Sequence, residues 1–218
     1  MILAFDTCTL RGTLAVGTAD RVLAETYFKT EKGHTGWLMP QIASMLGRLG
    51  KGSDDVDAVA VGIGPGNFTG VKVGVATAKA IAMGLTVPLV GIPTLDILAA
   101  GKDDEGITMS VLDAKRGMLY AAAYRNESGT LNPLSDYACL APAEIVDAGV
   151  RFIDGPLVVV GEAPDVLIDA FKAEGIAVTY VEELPRARDM LPLCDRMLSG
   201  GRAGTAVSVT PMYLKKPT

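Results

Sequence analysis

The sequence predicts an α/β fold in two compact halves, and three observations lead to this prediction. Short apolar runs rich in β-forming residues alternate with segments whose apolar residues recur every three or four positions. Hydrophobic residues make up 49% of the 218-residue chain, which is enough for a sizeable core. A charged, glycine-bounded stretch at 102–106 interrupts the pattern, so we place a domain boundary there, between 1–101 and 102–218.

The first half reads as three strands followed by alternating helices and strands. The strands are predicted at 2–7, 12–18 and 21–28. A helix follows, because apolar residues recur at helical spacing at Leu38, Ile42, Met45, Leu46 and Leu49. The remaining elements are a strand at 57–62, a helix at 69–85, a strand at 87–92 and a short helix at 95–100. This order, βββαβαβα, matches the ribonuclease H-like half of actin-type folds.

The second half begins with two strands around a turn at Asp113–Gly117. A second turn is indicated at 126–129. Pro142 sits in the first turn of a short predicted helix, which ends at 148. The later elements are a strand at 157–161, a helix at 163–174, a strand at 176–181 and a helix at 188–198.

Composition excludes several classes of function. The formal net charge of −5 argues against a broad basic surface for nucleic acid. The single histidine, His34, excludes a zinc site with two histidines in one chain. Three widely spaced cysteines fit a reduced compartment. No basic leader precedes an apolar run at the N-terminus, and the apolar stretch at 76–92 is interrupted, so we expect a cytoplasmic protein without a signal peptide or membrane span.

A glycine-rich loop at 62–69 follows a predicted strand and opens a predicted helix, where an anion can meet free backbone N–H groups. Gly64 and Gly66 are therefore candidate ligand-binding residues. The loop has Asn67 where a dinucleotide loop needs glycine, and Pro65 removes one donor. A tight turn that lets the helix approach the sheet is the more typical structure for such a sequence.

Asp6, Thr7 and Thr9 lie at the end of the first predicted strand, where actin-like ATPases hold phosphate and magnesium. A working site also needs an acidic cluster and a phosphate loop in the second domain. Asp113 is the natural candidate, but the residues after it do not form a glycine-rich phosphate loop. We therefore expect no nucleotide hydrolysis by this chain alone.

His34 precedes an amphipathic helix, which favours a role at a helix N-terminus or an interface over general base catalysis. In the helix at 69–85, small residues recur every four positions at Gly70, Gly74, Ala78 and Ala82. Small side chains allow close approach of the chain's own sheet or of a partner, and the sequence does not separate these two possibilities.

Several segments resemble the TsaB (YeaZ) family. The match is carried by AFDTCT at 4–9, HTGWLMP at 34–40, GIGPGNFTGVKVG at 62–74, DAKRGMLY at 113–120 and PMYLK at 211–215. The resemblance spans nearly the whole chain and implies an actin/Hsp70-like fold of two related domains. It also implies a role in forming threonylcarbamoyladenosine in tRNA.

The resemblance further implies that this chain is a non-catalytic dimerising subunit. Its catalytic partner would be a TsaD-like paralogue, which transfers threonylcarbamoyl from an adenylate to adenosine 37 of tRNA. A TsaE-like ATPase would join the complex, tRNA would bind only through the complex, and the chain alone would form a homodimer. TsaD-type enzymes carry a metal-binding His-x-x-x-His after a strand that ends in Ile-Pro. In this chain the corresponding strand ends at Ile92-Pro93, and the segment after it reads TLDILAA, in which Asp96 is the only candidate metal ligand. We therefore predict no metal and no catalytic residue, and we leave open a nucleotide at the interface of the complex.

We predict that the first-half helices form the partner surface, because the first helix is more apolar than one buried face requires. The predicted interface residues are His34, Trp37, Leu38, Met45, Thr69, Gly70, Val73, Gly74 and Thr77. The alternative is that these side chains form internal core. Two other functions remain as alternatives: a glycoprotease-like peptidase, and a nucleotide-binding small-molecule kinase of the actin-like fold.

Overall fold

The computed structural model describes residues 1–29, 36–102 and 105–214. In chain order the first elements are β1 (Ile2–Asp6), β2 (Arg11–Gly17), β3 (Val22–Lys29), α1 (Leu38–Arg48), β4 (Ala58–Gly62), α2 (Phe68–Leu85), β5 (Leu89–Ile92) and α3 (Thr94–Ala100). The later elements are β6 (Gly106–Lys115), β7 (Met118–Glu127), β8 (Thr130–Pro133), β9 (Ala138–Leu140), α4 (Pro142–Gly149), β10 (Leu157–Gly161), α5 (Asp165–Ala173), β11 (Val178–Val181) and α6 (Met190–Ser199). The predicted α/β class is confirmed.

The first sheet has the strand order β3-β2-β1-β4-β5 within the described residues. β1 pairs antiparallel with β2 and parallel with β4, so the carboxyl ends of β1, β4 and β5 meet at one edge of the sheet. Both central parallel strands are buried along their whole length. Their continuous apolar sequences suit strands covered on two faces. One face packs against α1 and α2, and the other against α6.

The second sheet has the strand order β11-β10-β6-β7-β8 in the part of the chain that the structure describes, and β9 also pairs with β7. Its core lies between one face of the sheet and the helices α4 and α5. The predicted turn between β6 and β7 is present: Lys115, Arg116 and Gly117 all have positive φ. The short strands β8 and β9 were not predicted, because each is only three or four residues long.

The described residues divide into two compact units that differ from the predicted domains. The first unit is Met1–Ile97 with Pro185–Met212, and the second is Leu98–Leu184 with the residues from Tyr213 onward. The return of residues 185–212 to the first unit has a physical cause. Helix α6 buries Met190, Leu191 and Cys194 against the first sheet, and the Ala187 N–H donates to the buried Thr13 hydroxyl over 2.9 Å.

Helix α2 begins at a side-chain cap and ends at a residue in the left-handed conformation. The Asn67 side chain accepts a hydrogen bond from the Gly70 N–H at 3.0 Å, which satisfies one of the free donors of the first turn. Thr86 ends the helix in the left-handed conformation with φ of 55°. Among the described helices, α2 alone is long and apolar enough to qualify as a membrane span by those two criteria. A core helix passes the same test, and α2 packs against β4.

Candidate functional site

The carboxyl ends of β1, β4 and β5 are joined by the buried carboxylate of Asp6. Asp6 Oδ1 accepts the Cys8 N–H at 2.8 Å, and Oδ2 accepts the hydroxyl of Thr94, the first residue of α3, at 3.2 Å. Asp6 and Thr94 are fully buried. Gly62, the last residue of β4, lies so close that a side chain there would collide with the Asp6 carboxylate. Both oxygens of this carboxylate therefore bind within the protein.

The two candidate threonines next to Asp6 also bind to the protein itself. Thr7 donates its hydroxyl proton to the carbonyl of Gly70 at 2.7 Å, which fixes the first turn of α2 to the end of β1. Thr9 donates to the carbonyl of Arg11 at 2.9 Å. Cys8 lies between these two threonines in the sequence. Burial is the main cause that raises the pKa of the Cys8 thiol well above its usual value, and the Asp6 carboxylate is the second cause. Cys8 is consequently a neutral thiol and a poor nucleophile.

The glycine-rich loop is held closely on both sides. On one side the Asn67 N–H donates to the Cys8 carbonyl at 2.6 Å, and Gly66 lies against that same carbonyl with no room for a side chain. On the other side the Met212 N–H donates to the Ile63 carbonyl at 2.7 Å. The N–H groups of Ile63, Asn67 and Gly70 all bond within the chain. The loop thus serves as a tight turn that brings α2 onto the sheet.

In the second unit, Asp113 lies near the end of β6 and binds Lys115. Its carboxylate accepts the Lys115 backbone N–H at 2.7 Å and the Lys115 ammonium at 2.6 Å. The hydrogen bond from the Lys115 side chain is the main cause that lowers the Asp113 pKa. Asp113 is therefore ionised at neutral pH and paired with a neighbouring cation.

Across residues 1–29, 36–102 and 105–214, no group of three or more His, Cys, Asp or Glu side chains is placed to hold a metal ion.

The predicted interface residues separate into buried and accessible sets. Leu38 and Met45 belong to the core beneath α1 and α2, and Gly70 and Gly74 are buried on the face of α2 that meets the sheet. In the chain by itself these four positions pack inside the first unit, and their role at a partner surface stays a prediction. The stripe continues through the buried Ala78 and Ala82.

The reason for glycine at position 74 is visible in the structure, because a side chain there would collide with the Thr7 hydroxyl. Trp37 and Thr69 are exposed, whereas Val73 and Thr77 are partly exposed. These four positions stay predicted interface residues. His34 lies outside the described residues.

An apolar groove of about 740 Å³ runs between α1 and α2. Its walls are formed by Met39, Ile42, Ala43, Leu46 and Gly47 of α1 and by Thr77, Ala80, Ile81, Gly84 and Leu85 of α2. Of the predicted interface residues that the structure describes, only Thr77 lines it. Met39, on the rim, is 51% exposed, and Met83 of α2 is 70% exposed. Methionines that remain exposed on a helix pair are typical of protein-binding surfaces.

Two groove residues that the sequence analysis missed are Gly47 and Gly84. A Cβ added to either would meet no atom within 4 Å, so the chain's own packing does not require glycine there. Glycine within a helix costs about 0.5–1 kcal/mol relative to alanine. Only the glycine stripe facing the sheet stood out in the sequence, because its spacing is regular.

The two units, each a mixed sheet with helices, define a class: α/β proteins of the actin-like fold with two related domains. Solved structures that share it include YeaZ from Pseudomonas aeruginosa and the ROK hexokinase from Thermus thermophilus. YeaZ has a TM-score of 0.81 at 24% identity and covers 98% of this chain and 99% of its own. The hexokinase has a TM-score of 0.51 at 11% identity and covers 88% and 95% of the two chains.

The sequence comparisons give the family. The family model "TsaD: tRNA N6-adenosine threonylcarbamoyltransferase" matches residues 22–205. The Escherichia coli "tRNA threonylcarbamoyladenosine biosynthesis protein TsaB" is 32% identical over 219 aligned positions, which cover 98% of this chain and 94% of that protein. The chain belongs to the TsaB (YeaZ) family, as the sequence motifs had indicated.

Proposed function

We propose that this chain is a non-catalytic scaffold subunit for the formation of threonylcarbamoyladenosine in tRNA, and that it works by binding a TsaD-like catalytic partner. The observation that carries the proposal is the apolar groove between α1 and α2. Membership in the TsaB family supports the pathway, because the E. coli relative is named for threonylcarbamoyladenosine biosynthesis.

The strand ends support a structural role over a catalytic one. In an enzyme of this fold the acidic group at the end of β1 must face substrate or metal, whereas Asp6 is fully buried and binds Cys8 and Thr94. Thr7 is bonded to α2, and the loop N–H groups of Ile63, Asn67 and Gly70 are bonded within the chain. These groups stabilise the junction of β1, β4 and α2 and so hold α2 in place beside the groove.

The groove has the chemistry of a helix-docking surface. Its walls are mostly apolar, with Lys51, Ser53 and Thr77 as the polar lining residues, and its rim carries a flexible methionine, Met39. Gly47 and Gly84 leave room above the backbone, so the backbone of a partner helix can come close to both helices. A partner helix that fills the groove would bury apolar surface, which stabilises the complex by about 25 cal/mol for each Å² removed from water. It would also give a reason for two glycines that the isolated chain does not need.

The proposed complex contains further members. A TsaD-like subunit supplies the transfer chemistry, and a TsaE-like ATPase joins the pair. A second copy of this chain fills the groove when the TsaD-like partner is absent, because a paralogue of the same fold presents a similar helix pair. The formal charge of −5 supports tRNA binding through the complex and not through this chain alone.

The test places a charge in the groove and measures assembly. Met39→Glu and Ala80→Glu change exposed groove residues, so neither buries a charge in the free chain. Val166→Glu is the matched control, because Val166 is 61% exposed on α5 of the second unit. Circular dichroism verifies folding, and light scattering after size-exclusion chromatography measures the complex with a TsaD-like subunit.

We expect both groove variants to fold and to lose the complex, while the Val166→Glu control keeps it. A carboxylate buried in this mostly apolar groove costs several kcal/mol, because Lys51, the lysine that lines the groove, is already paired with Asp55, and this cost is enough to lower affinity more than a hundredfold. Folded groove variants that bind the TsaD-like subunit like the wild type would contradict the proposal. Loss of the homodimer alone would assign the groove to self-association only.

A further inference from the structure

A second surface groove lies on the other side of α1, beside the outer strand of the first sheet. β3 ends the strand order, and no strand pairs with its outer edge within the described residues. It is eight residues long. In an antiparallel edge strand every second residue turns its N–H and C=O away from the neighbouring strand. An open edge of this length is a template for an added strand, and proteins usually protect such edges.

A shallow groove of about 130 Å³ follows this edge. Its strand side is formed by Ala24, Glu25 and Thr26, and its helix side by α1. The polar residues Gln41, Ser44 and Arg48 of α1 line it at spacings of three and four, so they lie on one face of the helix. Buried Met45 forms part of its floor. This face is distinct from the apolar face of α1 that lines the larger groove.

Among the described residues around this groove, one cation has no anionic partner. Glu25, the acidic residue of the groove, binds Arg188 at 3.1 Å, and the nearby Arg186 binds Asp189 at 2.8 Å. Arg48 is exposed and forms no ion pair or side-chain hydrogen bond with any described residue. A guanidinium offers paired donors that match a carboxylate. The groove is therefore complementary to a negatively charged side chain.

We propose that the outer edge of β3 binds an extended segment of a partner protein, which adds a strand to the first sheet and places an Asp or Glu side chain on Arg48. Main-chain hydrogen bonds to β3 supply sequence-independent affinity, and alternate side chains of the segment enter the groove. Gln41 and Ser44 hydrogen-bond the polar groups that flank the carboxylate. This surface is additional to the α1–α2 groove, so both can be occupied at once.

The experiment selects binders from short random peptides displayed on phage, with the full chain immobilised. We expect the enriched peptides to carry an acidic residue and to lack proline at alternate positions, since proline cannot donate to a strand ladder. A selected peptide, made synthetically, is then titrated into the wild type, Arg48→Ala, Ser44→Trp and Arg151→Ala. Arg151 is an exposed arginine of the second unit and serves as the matched control.

Arg48→Ala should weaken binding of the synthetic peptide about tenfold or more, through the lost charged pair. Ser44→Trp should abolish binding by filling the groove, and Arg151→Ala should have no effect. Bound peptide should also slow exchange of the β3 amides that face outward. Three results would overturn the proposal: no peptide enriched over the background, enriched peptides without acidic residues, or binding that Arg48→Ala leaves unchanged. If the wild-type chain dimerises and Ser44→Trp abolishes the dimer, a second copy of the chain occupies the edge instead.

Discussion

Replacing Gly47 and Gly84 by alanine is expected to have opposite effects on the stability of the free chain and on its affinity for the partner. Both glycines lie in the last turn of a groove helix, and an added Cβ meets no atom within 4 Å at either position. No steric cost therefore opposes the gain in helix propensity, which is about 0.5–1 kcal/mol for each glycine. The double variant should be more stable by about 1–2 kcal/mol. For a chain of this size that corresponds to a rise in Tm of roughly 2–8 °C.

The same two methyl groups occupy the space where we place the partner's backbone. Overpacking of a well-packed contact costs about 1–3 kcal/mol, so affinity for a TsaD-like subunit should fall about tenfold or more. Thermal unfolding followed by circular dichroism measures the first effect, and titration calorimetry with the TsaD-like subunit measures the second. Gly155→Ala, at an exposed and open glycine of the second unit, is the control for affinity. A double variant that is more stable and binds as tightly as the wild type would refute the close approach.

Three further predictions concern stability. Gly74→Ala should destabilise the chain by about 1–2 kcal/mol despite its gain in helix propensity, because the new methyl group collides with the Thr7 hydroxyl. Urea unfolding measures this loss of stability, and a stabilised variant would contradict the prediction. Ser110→Ala should be neutral or stabilising by up to about 1 kcal/mol, since the buried Ser110 hydroxyl has no hydrogen-bond partner in the described structure. A clear loss of stability in urea unfolding would show that the hydroxyl is bonded. Burial raises the pKa of Cys194 from 9.0 to about 12, so above pH 9 the unfolded chain releases a proton that the native chain keeps, and stability should fall between about pH 9 and pH 12. Cys194→Ala should make this fall shallower, and an unchanged pH profile would contradict the assignment.

Local sequence patterns predicted most of the helices and strands, because the apolar spacing and the turn residues that define such an element lie within or next to it in the sequence. The apolar spacing that starts at Leu38 predicted α1, and the loop before the helix at 69–85 predicted the start of α2 within one residue. The strand predicted at 157–161 coincides with β10. These segments carry strong periodicity or clear turn signals.

Contacts between distant residues could not be predicted in the same way. Asp6 was placed correctly at a strand end, but the hydroxyl that binds its carboxylate comes from Thr94, 88 positions later. The packing of α6 on the first sheet likewise depends on the folded arrangement and leaves no local signal. The stripe containing Gly74 was ambiguous for the same reason: spacing shows that small residues share a face, and only the structure shows what that face meets.

The most direct test of the proposed scaffold role measures threonylcarbamoyl transfer to tRNA with purified components. The chain alone, the TsaD-like subunit alone and the two together, each with the TsaE-like ATPase and the threonylcarbamoyl adenylate, are compared for product formed on tRNA. We predict no product from this chain alone. We also predict product from the pair that saturates at a fixed ratio of the two subunits and is lost with Met39→Glu. Product formed by this chain without the TsaD-like subunit, or full activity of the TsaD-like subunit without this chain, would contradict the scaffold role.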